Sequence, residues 1–410
     1  MIKYNKKELD KLVELILSES VKNNILLDIE LVKETIIKKA RVVKKEFQEA
    51  TRLVKKLVYP KIEIPIHHNA KYSTKDLLDV LTHIATTHDF TNNGSTTFED
   101  MYPDAKTPSS DTLLHHFSKF ESIEQIMKMS DGVLDLILRF LKKEYNVLQN
   151  RKVDIAFDIH DIEFYGKGVP YVCSGKEKNG TNRFFKFLTC SIVTAGKRFI
   201  IDIQPISPLN RLENLLDKSL SKIKSKIRID QAYLDRGFDT IKIINVLKNH
   251  KVNFVMPKVR SPTVKAWFDK AEGSKSYVVN DFQIGKGENY AKVNLVLVND
   301  EEGIKRAFIC NFPVAEPLAY RLYSMYSKRW GIETSYRNLD HDFKPRTTSK
   351  NYLIRLFYFV FSCFLYNLWV MVNICISFKR DGVVCKKPII TAKRFAIILY
   401  QVKMDFDNGG

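Results

Sequence analysis

The stretch Lys152-Val-Asp-Ile-Ala-Phe-Asp158 decides how the rest of the chain is interpreted. Its residues alternate between polar and apolar, which is typical of a strand with one buried face. The polar side chains Asp154, Asp158 and, just beyond the stretch, His160 fall on one face of that strand. The opposite face carries the apolar residues of the stretch, Val153, Ile155 and Phe157. The alternation therefore predicts a core strand with an acid, Asp158, at the end of the alternating stretch.

Further elements follow this strand in an informative order. Hydrophobic patterning predicts strands over 184–193, 199–206, 227–234 and 252–256, and helices over 209–224 and 239–250. Thr194-Ala-Gly196-Lys197 has the composition of a hairpin turn between the second and third strands. Three strands, helix, strand, helix, strand is the order of a ribonuclease-H-like α/β fold. We therefore predict a mixed sheet flanked by helices.

The remaining regions have different characters. Residues 1–150 are mainly helical in pattern, with Ser73 as an expected N-cap for a helix over 75–86 and further helices over 112–120 and 123–144. Residues 90–110, rich in Thr, Asn, Gly and Pro, are expected to form a loop. The short helices are compatible with a helix-turn-helix module or with an ordinary bundle, and both alternatives stay open.

The second half of the chain divides into four further parts. The first part of the core spans 151–257, and a β-rich insertion over 258–314 carries expected strands at 276–284, 290–298 and 305–312. A helix beginning near Pro317 carries Glu333, within a region that extends over 315–380. Residues 381–410 form a C-terminal tail.

Residues 356–376 carry no charge and are long enough to cross a bilayer. The alternative is a helix buried in the centre of a large domain. Asn367 and Asn373 favour burial in protein, because a side-chain amide in lipid has no hydrogen-bond partners. We therefore predict a core helix and no membrane partner.

Composition limits the classes of function. The net charge of +19 favours a polyanionic partner, with a solvated Lys-rich surface as the plain alternative. The six cysteines are scattered without a CxxC pair, which is typical of a reduced, cytoplasmic protein. The N-terminus shows no signal-peptide pattern.

Three acids have the residue type and placement for metal-assisted phosphoryl transfer. Asp158 and Asp235 each end a predicted strand, and Glu333 lies on a predicted helix. Carboxylate oxygens are the ligands that Mg²⁺ prefers, and two such ions can activate a nucleophile and stabilise a leaving oxygen. Asp161 competes with Asp158 for the first position. For each acid alone, a solvated strand end, an N-cap or a surface pair is the ordinary alternative.

The segment Tyr326-Ser-Lys-Arg329-Trp-Gly-Ile-Glu333 places a Tyr, an Arg and an acid at steps of three and four, which Arg337 continues. On a continuous helix these side chains share one face. Arg329 is then expected to contact a phosphate, and Tyr326 to pack against a sugar or displaced base. A plain surface Arg–Glu pair is the alternative for this helix.

These motifs resemble the DDE transposases of bacterial and archaeal insertion sequences, in the branch with a Y-x2-R-x3-E signature. The signature corresponds to Tyr326, Arg329 and Glu333, while Phe157-Asp158 and Leu234-Asp235-Arg-Gly-Phe resemble the regions of the first and second acids. The likeness covers roughly residues 150–378. Two positions depart from the pattern: Asp340 stands where a Lys is frequent, and His160 stands where a Thr is common.

The resemblance implies a ribonuclease-H-like core in which Asp158, Asp235 and Glu333 are the catalytic residues and hold two Mg²⁺ or Mn²⁺ ions. It implies double-stranded DNA as the partner, both the terminal inverted repeats and the target DNA, and a homodimer in the synaptic complex. Tyr326, Arg329, Arg337 and Lys344, the nearest Lys beyond Asp340, are expected to bind that DNA. A cytoplasmic, nucleoid-associated location follows.

Two other functions remain open from the sequence. A ribonuclease-H-like endonuclease would use the same acids but would cut without joining strands. A non-catalytic, DNA-binding relic of a transposase would use only the helical N-terminal part, and metal would be irrelevant to it. The insertion between Asp235 and Glu333 argues against a bare nuclease.

Overall fold

The computed structural model describes residues 29–148, 151–299 and 303–401. Its centre is a mixed sheet of nine strands drawn from these residues. The strands are β1 (Lys152–Glu163), β2 (Cys173–Lys178), β3 (Thr181–Ile192), β4 (Ile200–Ile206), β5 (Arg228–Leu234), β6 (Asn253–Pro257), β7 (Ser276–Lys286), β8 (Asn289–Asn299) and β9 (Lys305–Cys310).

The sheet runs in the order β2-β3-β1-β5-β6-β9-β8-β7, and β4 also pairs with β3. β1, β5 and β6 are parallel to one another, whereas the remaining pairs are antiparallel. The predicted mixed sheet is confirmed. The strands of the β-rich insertion extend this same sheet, because β9 pairs directly with β6.

Helices surround the sheet. They are α1 (Ile29–Val58), α2 (Thr74–Thr87), α3 (Thr91–Met101), α4 (Ser110–Phe117), α5 (Ile123–Tyr145), α6 (Leu212–Lys224), α7 (Ile241–Asn249), α8 (Pro262–Lys270), α9 (Arg321–Tyr326), α10 (Trp330–Asp342), α11 (Tyr352–Asp381) and α12 (Ala392–Gln401). The predicted cap of α2 is confirmed: Ser73 and Asp76 form a reciprocal capping box.

The expected loop over 90–110 is wrong in its first half, where α3 forms. Gly94 lies so close to α2 that a Cβ atom there would come within 2.5 Å of the Ile84 side chain. Thr91 also hydrogen-bonds the buried hydroxyl of Tyr358 at 2.9 Å. These tertiary contacts outweigh the weak helix propensity of a Thr-, Asn- and Gly-rich segment.

Among the described residues, α11 is the one helix long and apolar enough to cross a bilayer, yet its most apolar 18-residue window is completely buried in protein. The two amides in it have backbone partners. Asn367 accepts from Ile200 N at 3.0 Å and donates to Ile200 O at 2.8 Å. Asn373 accepts from the backbone of Ile389 at 2.7 Å. The prediction of a buried core helix is confirmed.

Two expectations about local structure are corrected. β2 was not foreseen, since its mostly polar, exposed sequence has no alternation; it forms by backbone pairing with the edge of β3. The helix carrying Glu333 is not continuous from Pro317. A 3₁₀ turn over Ser327–Arg329 separates α9 from α10, so the signature residues span a change of helical geometry.

Candidate active site

The register of β1 and β5 brings the first two acids side by side. Phe157 pairs with Leu234 in these parallel strands. The next residues, Asp158 in β1 and Asp235 directly after β5, therefore lie at the same level of the sheet. Asp235 then caps a short 3₁₀ turn by accepting from Arg236 N. The strand register thus brings Asp158 and Asp235 together, which the sequence could only suggest.

Arg329 joins the third acid to this pair. Its guanidinium lies 3.5 Å from Asp158 Oδ2 and also hydrogen-bonds Glu333 Oε1. The Arg329 side chain is only 8% exposed, and its Nε has no hydrogen-bond partner among the described residues. The rings of Tyr326 and Trp330 each lie 5.6 Å from the guanidinium carbon. Arg329 is therefore held between two carboxylates by packing as well as by charge.

The carboxyl group of Asp158 is electrostatically unusual. Burial raises its pKa from 3.8 to about 6, and the neighbouring Asp235 and Glu333 push the pKa in the same direction. Arg329 and the backbone N–H of Ile159 oppose that rise but do not cancel it. The three acids therefore act on one another, as groups gathered around one site do.

The donor chemistry of this site fits a hard divalent cation. Three carboxylates and one guanidinium leave two negative charges when all are ionised, and carboxylate oxygens are the preferred ligands of Mg²⁺. The side chains are not gathered to ligation distance, however. Within the described residues no three His, Cys, Asp or Glu side chains form a group able to hold a metal ion, and Arg329 stands between Asp158 and Glu333.

The polar face of β1 contacts the segment from Lys328 to Asp340, which includes α10, at three points along its length. Three contacts link them in succession: Asp154 with Lys328 at 2.6 Å, Asp158 with Arg329 at 3.5 Å, and His160 with Asp340 at 3.4 Å. The predicted common face of Asp154, Asp158 and His160 is thus confirmed. Asp161 lies elsewhere, 3.5 Å from Lys186 of β3. The structure therefore places Asp158, and not its competitor, beside Arg329.

Tyr336 fastens α10 to the strand that carries Asp158. Its buried hydroxyl hydrogen-bonds the Thr189 hydroxyl and donates to the backbone carbonyl of Asp158 at 3.4 Å. Thr189 itself pairs with Asp158 across β3 and β1. Because Tyr336 follows Glu333 by one helical turn, this contact fixes how the helix carrying Glu333 sits on β1. The sequence analysis did not assign Tyr336, although it shares the helical stripe of Glu333.

The two departures from the family pattern are neighbours in space. His160 Nε2 lies 3.4 Å from Asp340 Oδ1, and Lys344 Nζ lies 2.9 Å from the same oxygen. Burial alone would raise the pKa of Asp340, but His160 and Lys344 outweigh it and hold that pKa well below the usual range. The ring of His160 also stacks on Phe359 at 5.2 Å. A single sequence contains no signal that these two positions meet.

The four residues expected to bind DNA have different environments. Tyr326 is only 7% exposed, and its ring contacts Phe308 and Tyr233. Protein covers the ring in this structure, and the expected contact with a sugar or base stays a prediction. Arg329 is buried against the acids, and Lys344 is paired with Asp340. Of the four, Arg337 alone is exposed, and it lies on α10.

The fold is a mixed α/β sheet flanked by helices, and its strand register places Asp158 and Asp235 near each other. A family model described as a transposase DDE domain matches residues 150–368, which is more than half of the chain. The chain therefore belongs to the DDE transposase family.

Two solved structures of transposases match this chain. The cryo-EM structure of a piggyBac transposase synaptic complex with hairpin DNA has a TM-score of 0.52 at 13% identity, over 88% of this chain and 78% of that chain. A pre-cleavage Mos1 transpososome crystal structure also matches, with a TM-score of 0.17 at 11% identity, over 52% of this chain and 75% of that chain. The comparison with curated proteins gave no match. At these identities the likeness to piggyBac transposase establishes the fold alone.

Proposed function

We propose that this protein is a DNA transposase that cleaves and joins the ends of an insertion sequence by divalent-metal-dependent phosphoryl transfer. The single observation that carries the proposal is the register of Phe157 with Leu234. It sets Asp158 beside Asp235, while Arg329 links Asp158 to Glu333. Family membership supports the same reaction class.

Each residue has a defined role in this proposal. Asp158, Asp235 and Glu333 hold two Mg²⁺ or Mn²⁺ ions, which would supply nucleophile activation and charge neutralisation when bound. Arg329, which hydrogen-bonds Glu333 in this structure, would leave Glu333 free to hold the metal if its guanidinium turned its donors towards the scissile phosphate. The Arg329 Nε is buried without a hydrogen-bond partner among the described residues, and a phosphate that reached it once Arg329 had turned would supply the missing acceptor. Tyr336 keeps the helix of Glu333 seated on the strand of Asp158.

The proposed partner is double-stranded DNA, both the terminal inverted repeats of the element and its target. The net charge of +19 supports a polyanionic partner. The piggyBac transposase to which the fold is similar was solved with hairpin DNA in a synaptic complex. We propose a homodimer in the corresponding complex, a contribution of residues 1–150 to DNA binding, a cytoplasmic, nucleoid-associated location and no membrane partner.

The proposal is tested with labelled duplex DNA that carries the sequences flanking the gene. The wild-type protein in Mg²⁺ is expected to cut this DNA and join it to a target. Glu333→Gln should cut at least about 10³-fold more slowly, which corresponds to an activation barrier higher by about 4 kcal/mol. DNA affinity should change by less than about twofold. Asp161→Asn removes an acid of the same strand that faces Lys186, so this control should cut normally.

Three outcomes contradict the proposal in different ways. Full cutting by Glu333→Gln removes Glu333 from the active site. Cut but unjoined products from the wild type identify an endonuclease without strand transfer. DNA binding without any metal-dependent product would instead identify a non-catalytic relic.

A further inference from the structure

A cavity of about 160 Å³ lies on the other side of α10 from β1. Thr334 and Asn338 of α10, Tyr366 and Trp369 of α11, and the segment 384–388 line it. Thr334 directly follows Glu333 in the chain. The cavity is thus separate from the carboxylates yet attached to the same helix. The segment over it lies outside the family match at 150–368.

The charges around this cavity have one sign. Arg198, Lys386 and Lys387 are among its lining residues, and no acidic side chain is. The Nε of Arg198 is buried and has no hydrogen-bond partner among the described residues. A buried donor without an acceptor costs about 1–3 kcal/mol. This cost would be removed by an anionic ligand that accepts from Arg198.

The backbone near Arg198 packs closely against the segment 384–388 that lines the cavity. Gly196 has a φ of +78°, and a Cβ atom there would lie 2.2 Å from the carbonyl oxygen of Cys385. Only glycine therefore lets the segment 384–388 approach the β3–β4 hairpin so closely. The hydroxyl of Tyr366 donates to the Arg198 carbonyl at 2.9 Å. Arg198 also fills the space above Gly331, where a Cβ atom would meet its Nε at 3.1 Å.

We propose that this cavity binds a backbone phosphate of the DNA strand that crosses α10. The inference rests on the proposed function and adds a site to it: Arg198 is the buried donor, with Lys386 and Lys387 at the mouth. Glu333 and Asn338 are five residues apart, which is about 7.5 Å along the axis of α10, but they lie on different sides of this helix. A strand that reaches both the acids and the cavity would therefore pass over α10, with different phosphates at the two places.

Cys385 provides a direct readout, because it lines the cavity and is partly exposed whereas the other five cysteines are buried. We would measure the rate of Cys385 alkylation by iodoacetamide, by mass spectrometry, in metal-free buffer. A saturating 30-base-pair duplex is expected to slow alkylation about tenfold. In Arg198→Gln the protection should be lost, although the duplex remains bound through other basic residues.

Matched controls separate this site from general charge effects. Arg211→Gln changes an exposed arginine that directly precedes α6, and Lys265→Gln changes an exposed lysine on α8; both should keep full protection. Lys387→Gln should reduce the slope of log affinity against log salt by about 0.9, the value for one phosphate contact. Lys265→Gln is expected to leave Cys385 protection unchanged whatever it does to that slope.

Three results would overturn the inference. Bound duplex that leaves Cys385 fully reactive in the wild type removes the cavity from the DNA path, while the proposed reaction could still stand. Equal protection in Arg198→Gln and wild type removes Arg198. Equal protection by inorganic phosphate, at matched ionic strength, would assign the cavity to free phosphate. Absence of any duplex binding contradicts the proposed function itself.

Discussion

Two groups of charged side chains lie on the same sheet and differ in how many of their polar atoms have hydrogen-bond or ion-pair partners. Asp202 of β4 is 1% exposed and accepts from Ser219 at 2.6 Å, from Gln204 at 3.0 Å and from Lys222. Asp158 of β1 has an 18% exposed side chain, and its cation, Arg329, retains an unpartnered Nε. Both groups place two acids around one cation, because Lys222 also binds Asp131.

The difference separates a structural network from a site that is open to a ligand. Lys222 on α6 ties Asp131 on α5 to Asp202 in the sheet, so this network joins the helical N-terminal region to the core. A buried carboxylate whose oxygens already accept from a full set of protein donors is poorly placed to bind a ligand. Asp158, in contrast, has a raised pKa and a partly exposed carboxylate. Those are the properties expected of a functional acid.

The largest effect on stability is expected from Asp202→Asn. It leaves Lys222 facing a neutral amide in the interior, and loss of one partner of a buried ion pair costs about 3–5 kcal/mol. We expect the lower end, since Lys222 keeps Asp131. Urea unfolding would measure the loss. The control is Asp131→Asn, which should lower the free energy of unfolding by less because the Asp131 side chain is 38% exposed. An equal or larger loss in Asp131→Asn would contradict the assignment of Asp202 as the centre of the network.

Asp158→Asn is expected to change stability in the opposite direction. Because burial raises the pKa of Asp158 from 3.8 to about 6, the native state binds this proton more tightly than the unfolded state does. The resulting stabilisation is complete below about pH 3.8 and is lost as the pH rises through about 6. In metal-free buffer at pH 8, Asp158→Asn should therefore be more stable than wild type by up to about 3 kcal/mol.

The comparison is made by unfolding both proteins at pH 4 and at pH 8. The gain should be small at the lower pH and should grow between pH 4 and pH 7. A loss of stability at pH 8 similar to that of Asp202→Asn would show that Asp158 is a structural partner of Arg329, and the distinction between the two groups would fail.

The smallest effect is expected from Tyr336→Phe. Removing this hydroxyl deletes the hydrogen bond to the Thr189 hydroxyl and the additional one to the Asp158 carbonyl, at about 1–2 kcal/mol. We also expect about tenfold slower cutting and a higher half-saturating Mg²⁺ concentration, since the helix of Glu333 would be less firmly placed. Tyr358→Phe removes an equally buried hydroxyl that bonds Thr91. It should lower stability similarly but leave cutting unchanged; slower cutting in both would contradict a positioning role.

Elements with strong local patterns were predictable from the sequence. The alternation of β1, the hairpin turn at Gly196 and the long apolar run of α11 all lie where expected. β2 and α3 were missed because their residues carry no matching period; an edge pairing and a close approach to Ile84 form them instead. The 3₁₀ turn before α10 contains no glycine or proline, so its composition does not predict a break in the helix.

The candidate site was predictable in its residues but not in its arrangement. Asp158, Asp235 and Glu333 could be selected because each ends a strand or repeats with Arg329 at helical spacing. The link between His160 and Asp340 could not be found, since these residues come from elements 180 positions apart in the chain. The cavity beside α10 also depends on a segment, 384–388, that was expected to be a simple tail.

The sequence by itself determined the periodicities, the net charge of +19 and the chemical types of the acids, because these follow from local residue order and composition. Only the tertiary structure decided which acids stand together, which cation lies between them and which amides of α11 find partners. The physical reason is that burial and charge–charge interactions depend on distances through space. Strand register and helix packing set those distances, and neither can be read from spacing along the chain.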